Sequence, residues 1–147
     1  MNERYQQRNQ EDPLRELREE IEKKPITEFT DKEIFHRNGH ASRVAKKADV
    51  SSVQLRKVFQ EFKAIVDKLK KEKENDPNEA IERAMGRLYK LYAILEYQAN
   101  RNVIKEYFKN YMFALFNNIE NHKSIEAFEK AYDLLMAIVA YSKTKKS

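Results

Sequence analysis

The sequence predicts an all-α protein, a compact bundle of about five main helices with a short extra N-terminal helix. Three observations carry this reading. Two glycines and three prolines in 147 residues leave little punctuation for a protein of strands and tight turns. Apolar residues recur at three- and four-residue steps over most of the chain. Most such stretches open on a Ser, Thr or Asp able to accept hydrogen bonds from the free amides of a first helical turn.

The first dozen residues are polar and aperiodic and are expected to form a mobile tail. Asp12-Pro13 then offers a cap with proline at the first helical position, followed by a short helix with the thin stripe Leu14, Leu17 and Ile21, which is expected to dock weakly and to end at Pro25. Thr30-Asp31-Lys32-Glu33 has capping-box spacing, with Phe29 and Ile34 placed to form a hydrophobic staple. A helix is expected from Asp31 to about Ala48, weakened or kinked at Gly39. Ser51 with Gln54 is a second box, and Val50 can staple onto Leu55. The helix it opens has the cleanest stripe, Leu55, Val58, Phe59, Phe62, Ile65, Val66 and Leu69, and is expected to fray near Glu74.

Asn75-Asp76-Pro77 restarts the chain into a helix that buries Ile81, Ala84, Met85, Leu88, Leu91, Tyr92 and Leu95. Asn100-Arg101-Asn102 interrupts that pattern, and Ile104, Phe108, Tyr111, Met112, Leu115, Phe116 and Ile119 form the next stripe. A turn over Asn121 to Ser124 leads to the last helix, with Phe128, Ala131, Tyr132, Leu135, Ile138 and Val139 on one face, before a basic end from Lys143 to Lys146. The length suits a polar tail and short helix over residues 1–28 and a single helical-bundle domain over residues 29–147.

Composition narrows the function. Without cysteine there are no disulfides, thiolate nucleophiles or cysteine-based metal sites. The opening residues lack an apolar signal region and no apolar run reaches the roughly 20 residues needed to span a bilayer, so a cytoplasmic location is expected. The net charge of +5 lies wholly in the second part: residues 1–49 carry 11 basic and 11 acidic side chains, residues 50–147 carry 18 and 13. Basic excess favours an anionic partner.

Enzyme chemistry finds little support. Glu33, His36 and His40 fall at i, i+3 and i+7 and could form a metal-binding row, but the His-Glu-x-x-His order is absent and a solvated helix face explains them. Arg37-Asn38-Gly39-His40 has the residue types of a helical HEPN ribonuclease with too short a spacing, and Arg101-Asn102 has no histidine within reach. Two glycines cannot make a phosphate loop. Neither a catalytic residue, a metal nor a cofactor is expected.

Basic rows are the stronger signal. Arg56, Lys63 and Lys70 recur every seven residues beside the apolar stripe, and Arg101, Lys105 and Lys109 step by four, a spacing at which like charges repel and an uncompensated row suggests an external anion. Arg43, Lys46 and Lys47 cluster just before Ser51. Tyr97, near the helix break, could stack on a base, whereas tyrosines within apolar stripes belong to the core.

Ser51-Ser52-Val53-Gln54-Leu55-Arg56, Tyr97 through Arg101, the Phe29-Thr30-Asp31 opening, the Ser124-x-Glu126-x-Phe128 onset and the ending Ala137-Ile138-Val139-Ala140-Tyr141-Ser142-Lys143 together carry a resemblance. In order and spacing, over roughly residues 29–143, the chain resembles the small helical subunit of the type III-A CRISPR-Cas effector complex, the Csm family. The resemblance implies a non-catalytic subunit, assembled in several copies along the inner side of an effector filament and lining the groove for guide RNA and target RNA. Arg56 and Arg101, which match its helix-start and Ala-x-Arg motifs, would face phosphate. The RNA-binding set expected on this basis is Arg43, Lys46, Lys47, Arg56, Lys57, Lys63, Arg101 and Lys105, with the other complex subunits and further copies of the chain as protein partners. The small subunit of the type III-B complex, or a helical adaptor with no RNA role, is the alternative.

Overall fold

The computed structural model describes residues 12–142, and among them every regular element is a helix. The expected N-terminal tail and the basic end from Lys143 lie outside the described residues.

Helix α1 (Arg15–Ile21) begins two residues later than Pro13 suggests, yet Asp12 still organises its start. Its Oδ1 accepts from the Leu14 amide at 3.1 Å, and its Oδ2 from Arg18 at 2.7 Å. The thin stripe docks firmly rather than weakly: Leu14 and Ile21 are completely buried and Leu17 nearly so, all in the common core. Asn118 explains how so short a helix is held. Pro25 has no N–H for the Ile21 carbonyl, so Asn118 Nδ2 donates to Ile21 O and Lys24 O, both at 2.8 Å, while its Oδ1 accepts from the Ile26 amide at 2.8 Å. A 3-10 turn (Ile26–Glu28) follows.

The helix expected from Asp31 to Ala48 is two helices, α2 (Asp31–Phe35) and α3 (His40–Lys47). Thr30 and Glu33 complete the capping box in both directions. The chain then leaves helical geometry at His36 and turns so tightly that a Cβ at Gly39 would stand 2.8 Å from the Glu33 carbonyl oxygen and 2.9 Å from that of His36. Gly39 therefore permits a break, not a kink, and the break rotates His40 into the core.

Helix α4 (Ser52–Glu72) starts where Ser51 accepts from the Gln54 amide at 3.1 Å; among the described residues only this half of the box forms. Its last turn is anchored by α5 (Pro77–Asn100), whose Arg83 and Arg87 donate to Glu72 at 3.0 and 2.8 Å. Asp76 caps α5 with proline at the first position. At its far end Asn102 takes φ 60°, the Asn102 amide donates to Ala99 O at 3.0 Å and the Val103 amide to Gln98 O at 2.9 Å. This Schellman closure stops the helix. Helices α6 (Glu106–Asn121) and α7 (Ile125–Tyr141, capped by Ser124) complete the bundle.

Helix α4 packs on both α5 and α7, α5 on α6, α1 on α6, and α3 on α7. At the centre Phe62 of α4 stacks on Phe116 at 6.1 Å and Phe128 at 6.2 Å, which joins α4, α6 and α7. Each such buried ring contributes roughly 1.5–3 kcal/mol of transfer free energy. No helix among the described residues is long and apolar enough to cross a membrane.

Candidate nucleic-acid interface

Arg43 on α3 is engaged inside the protein. Its guanidinium donates twice to Glu20 of α1, at 2.8 and 3.1 Å, and once to Gly39 O at 3.3 Å. The same carboxylate lies 2.8 Å from Nδ1 of buried His40, whose Nε2 lies 2.7 Å from the Tyr111 hydroxyl. Burial pushes the His40 imidazole below its ordinary value, more strongly than Glu20 raises it. Burial alone would raise the Glu20 carboxyl, but hydrogen bonds from Arg43 and His40 outweigh it and hold the group below its ordinary value. Burial raises the Tyr111 phenol. The break before α3 thus separates His40 from exposed His36, and Glu33, His36 and His40 do not share a face. No cluster of three metal-ligating side chains occurs among the described residues.

The rows read from the sequence are partly neutralised. Lys63 donates to Asp67 at 2.9 Å, and Lys70 lies 4.0 Å from Glu129 of α7. Lys105 lies 3.9 Å from Asp49. Lys109 is nearly buried and donates to Glu96 at 2.9 Å and Glu106 at 2.6 Å, bonds that keep its ammonium above the ordinary value although burial opposes it. The row Arg101, Lys105, Lys109 is therefore not uncompensated, because Glu96 comes from another helix and Asp49 from a loop.

Arg56 and Lys57 differ. Both are exposed near the start of α4, and neither forms an ion pair among the described residues. They line an open groove of about 580 Å³ between α4 and α5, with Val53, Leu91, Ile94 and Gln98 also on its walls and Glu61 as its only acid. Nothing in the sequence marks Gln98 as a site residue, yet its side-chain oxygen is buried without a hydrogen-bond partner among the described residues. One turn beyond Gln98, the Arg101 guanidinium lies 5.5 Å from the Tyr97 ring centroid and donates to the Tyr97 hydroxyl at 2.9 Å. Arg101 too has no carboxylate partner among the described residues.

Helices α4 and α5 run antiparallel, so the start of α4 lies beside the end of α5. Arg56, Lys57 and Arg101 thus occupy one end of the bundle. The Lys105–Asp49 approach brings the segment after α3 to that same end, with exposed Lys46 and Lys47 in the last turn of α3 just before it. Lys46 itself borders a second groove, with Arg37, Val50 and Tyr141. Arg43 points instead to α1, and Lys63 stands about 10 Å along α4 from Arg56, seven residues on.

Helices throughout the described residues, with Arg56, Lys57 and Arg101 open at one end, define a helical subunit with a cationic surface. Residues 30–147 match the family described as Csm2 Type III-A. The chain belongs to that family, the non-catalytic small subunit of the type III-A CRISPR complex, and membership implies association with the complex's other subunits. No curated protein and no solved structure matches the chain. Helix α1 and the 3-10 turn lie before the matched residues, although their apolar side chains share its core.

Proposed function

We propose that this chain lines the groove in which the type III-A complex holds guide RNA and target RNA, by contacts to the phosphate backbone, without catalysing a reaction itself. It acts in the cytoplasm in antiviral defence, in several copies that contact one another and the larger subunits. One observation carries this reading: Arg56, Lys57 and Arg101 have no carboxylate partner among the described residues and stand at one end of the bundle. Cations left open together on one surface favour an external polyanion. Sequence recognition is left to base pairing, and the protein reads backbone charge and shape.

The test is binding of a guide–target RNA duplex and of single-stranded RNA across a salt series. A subunit neutralising about three phosphates gives a log–log salt slope near −2. The pair Arg56→Ala with Arg101→Ala should abolish that binding with helicity intact by circular dichroism. Absence of binding by the wild type at low salt would leave a protein-only adaptor.

A further inference from the structure

The phosphate reading uses the charges at this end of the bundle and leaves its exposed apolar surface unexplained. Val53 is 60 % exposed, Tyr97 59 %, Val103 43 % and Ile94 40 %. Val53 and Ile94 share the groove of Arg56 and Lys57, Tyr97 lies three residues after Ile94, and Val103 closes the same helix end. A surface reserved for phosphate alone has no use for a fixed, open aromatic ring. Tyr97 is held at its phenol end: Arg101 Nη1 donates to the phenol oxygen at 2.9 Å, and the guanidinium lies 5.5 Å from the ring centroid. No other ring among the described residues stacks on Tyr97, and the residue is largely open to solvent.

We propose that Tyr97 is a stacking platform for one unpaired nucleobase, with Arg101 as the residue that positions the ring. The occupant is single-stranded RNA, or an interruption in a duplex, because the surroundings are cationic and only Glu61 among the groove residues is acidic. A ring flanked by open guanidinium and ammonium groups suits a base whose own phosphates reach Arg56 and Lys57, and base–aromatic stacking is sequence-tolerant. A continuous duplex keeps its bases inside the helix and cannot present one to the ring. This inference rests on the phosphate reading of the same surface and adds to it a preference for an unpaired nucleotide.

The experiment uses the full chain with two probes, a short single-stranded RNA carrying one 2-aminopurine and the fully paired duplex of that sequence. Affinity is read by anisotropy and stacking by 2-aminopurine quenching. Tyr97→Leu, at an exposed position, should weaken single-strand binding about tenfold or more and remove the quenching, while duplex affinity and salt slope stay within about twofold. Tyr97→Phe keeps the ring and should keep the quenching. Arg56→Ala should lower both affinities together. If Tyr97→Leu binds and quenches the single strand as the wild type does, the platform is overturned and the phosphate reading stands. If the wild type binds neither RNA, both fall.

Discussion

Two ends of the molecule hold the same residue types in opposite circumstances. Between α1, α3 and α6, Arg43 and His40 are tied to Glu20, with His40 wholly buried and Arg43 partly exposed. Where α4 begins and α5 ends, Arg56 and Lys57 have no such partner among the described residues, and Arg101 has there only a tyrosine. A cation bonded to a carboxylate from its own fold contributes to the fold's cohesion, and its charge is cancelled within hydrogen-bond distance. A cation without one contributes little to stability and leaves its field for a partner. The first end should therefore respond to mutation in stability and the second in binding.

The sharpest way to break that contrast is to strip the paired end of its polar anchor. Asn118→Ala would leave the buried Ile26 amide and the Ile21 and Lys24 carbonyls without their donor or acceptor, a loss of roughly 3 kcal/mol. Chemical denaturation should show it as a lower midpoint at unchanged slope. A loss under about 1 kcal/mol would mean that water replaces the amide and that α1 is held by its leucines alone. Glu20→Ala comes next, at about 1–3 kcal/mol, because it leaves Arg43 and buried His40 without their shared acceptor. An unchanged midpoint would show that this network has no part in cohesion.

Why the sequence separates these ends only in part follows from where the partners lie. Helix starts were legible because a cap and the amide that donates to it sit three residues apart, as at Thr30, Ser51, Asp76 and Ser124. The apolar stripes were legible because period sets the face. The split at His36–Gly39 was not, since it depends on a carbonyl cage that only the folded turn creates. Arg43 looked like any open cation because Glu20 precedes it by 23 positions, and Lys109 finds Glu96 13 positions back on another helix. Asn118 hid inside the α6 stripe. Its only sequence trace was Pro25, whose missing N–H obliged some distant group to serve the Ile21 carbonyl. Local spacing named Arg56 and Arg101 as candidates, but their lack of an internal partner is a property of the whole fold.

Acidity probes the paired end without mutation. His40 is depressed below its ordinary 6.5 by burial, so the unfolded chain binds its proton first. The stability it contributes is complete above pH 6.5 and is lost as pH falls from there through the depressed folded value. Glu20, held below its ordinary 4.5, adds a further loss only below that pH. Tyr111, Arg43 and Glu20 are the polar groups facing the imidazole. Thermal melts between about pH 8 and pH 5 should be level at first and then decline, and His40→Gln should flatten the decline while lowering the plateau. A wild type that stays level to about pH 5 would show that His40 accepts its proton in the fold at no cost.

The smallest effect is the one that sharpens the contrast most. Arg56→Ala and Lys57→Ala remove exposed side chains that form no ion pair among the described residues, so each should move stability by no more than about 0.5 kcal/mol. Their stems cover part of the apolar groove around Leu91 and Ile94, which sets a small cost, while removing like charge beside Lys57 or Arg56 gives a small gain of opposite sign. Melting and denaturant midpoints should therefore match the wild type even as RNA affinity and the salt slope fall. A clear destabilisation by either substitution would place Arg56 and Lys57 with the cohesive cations, and the end where α4 begins would lose its claim to be the open one.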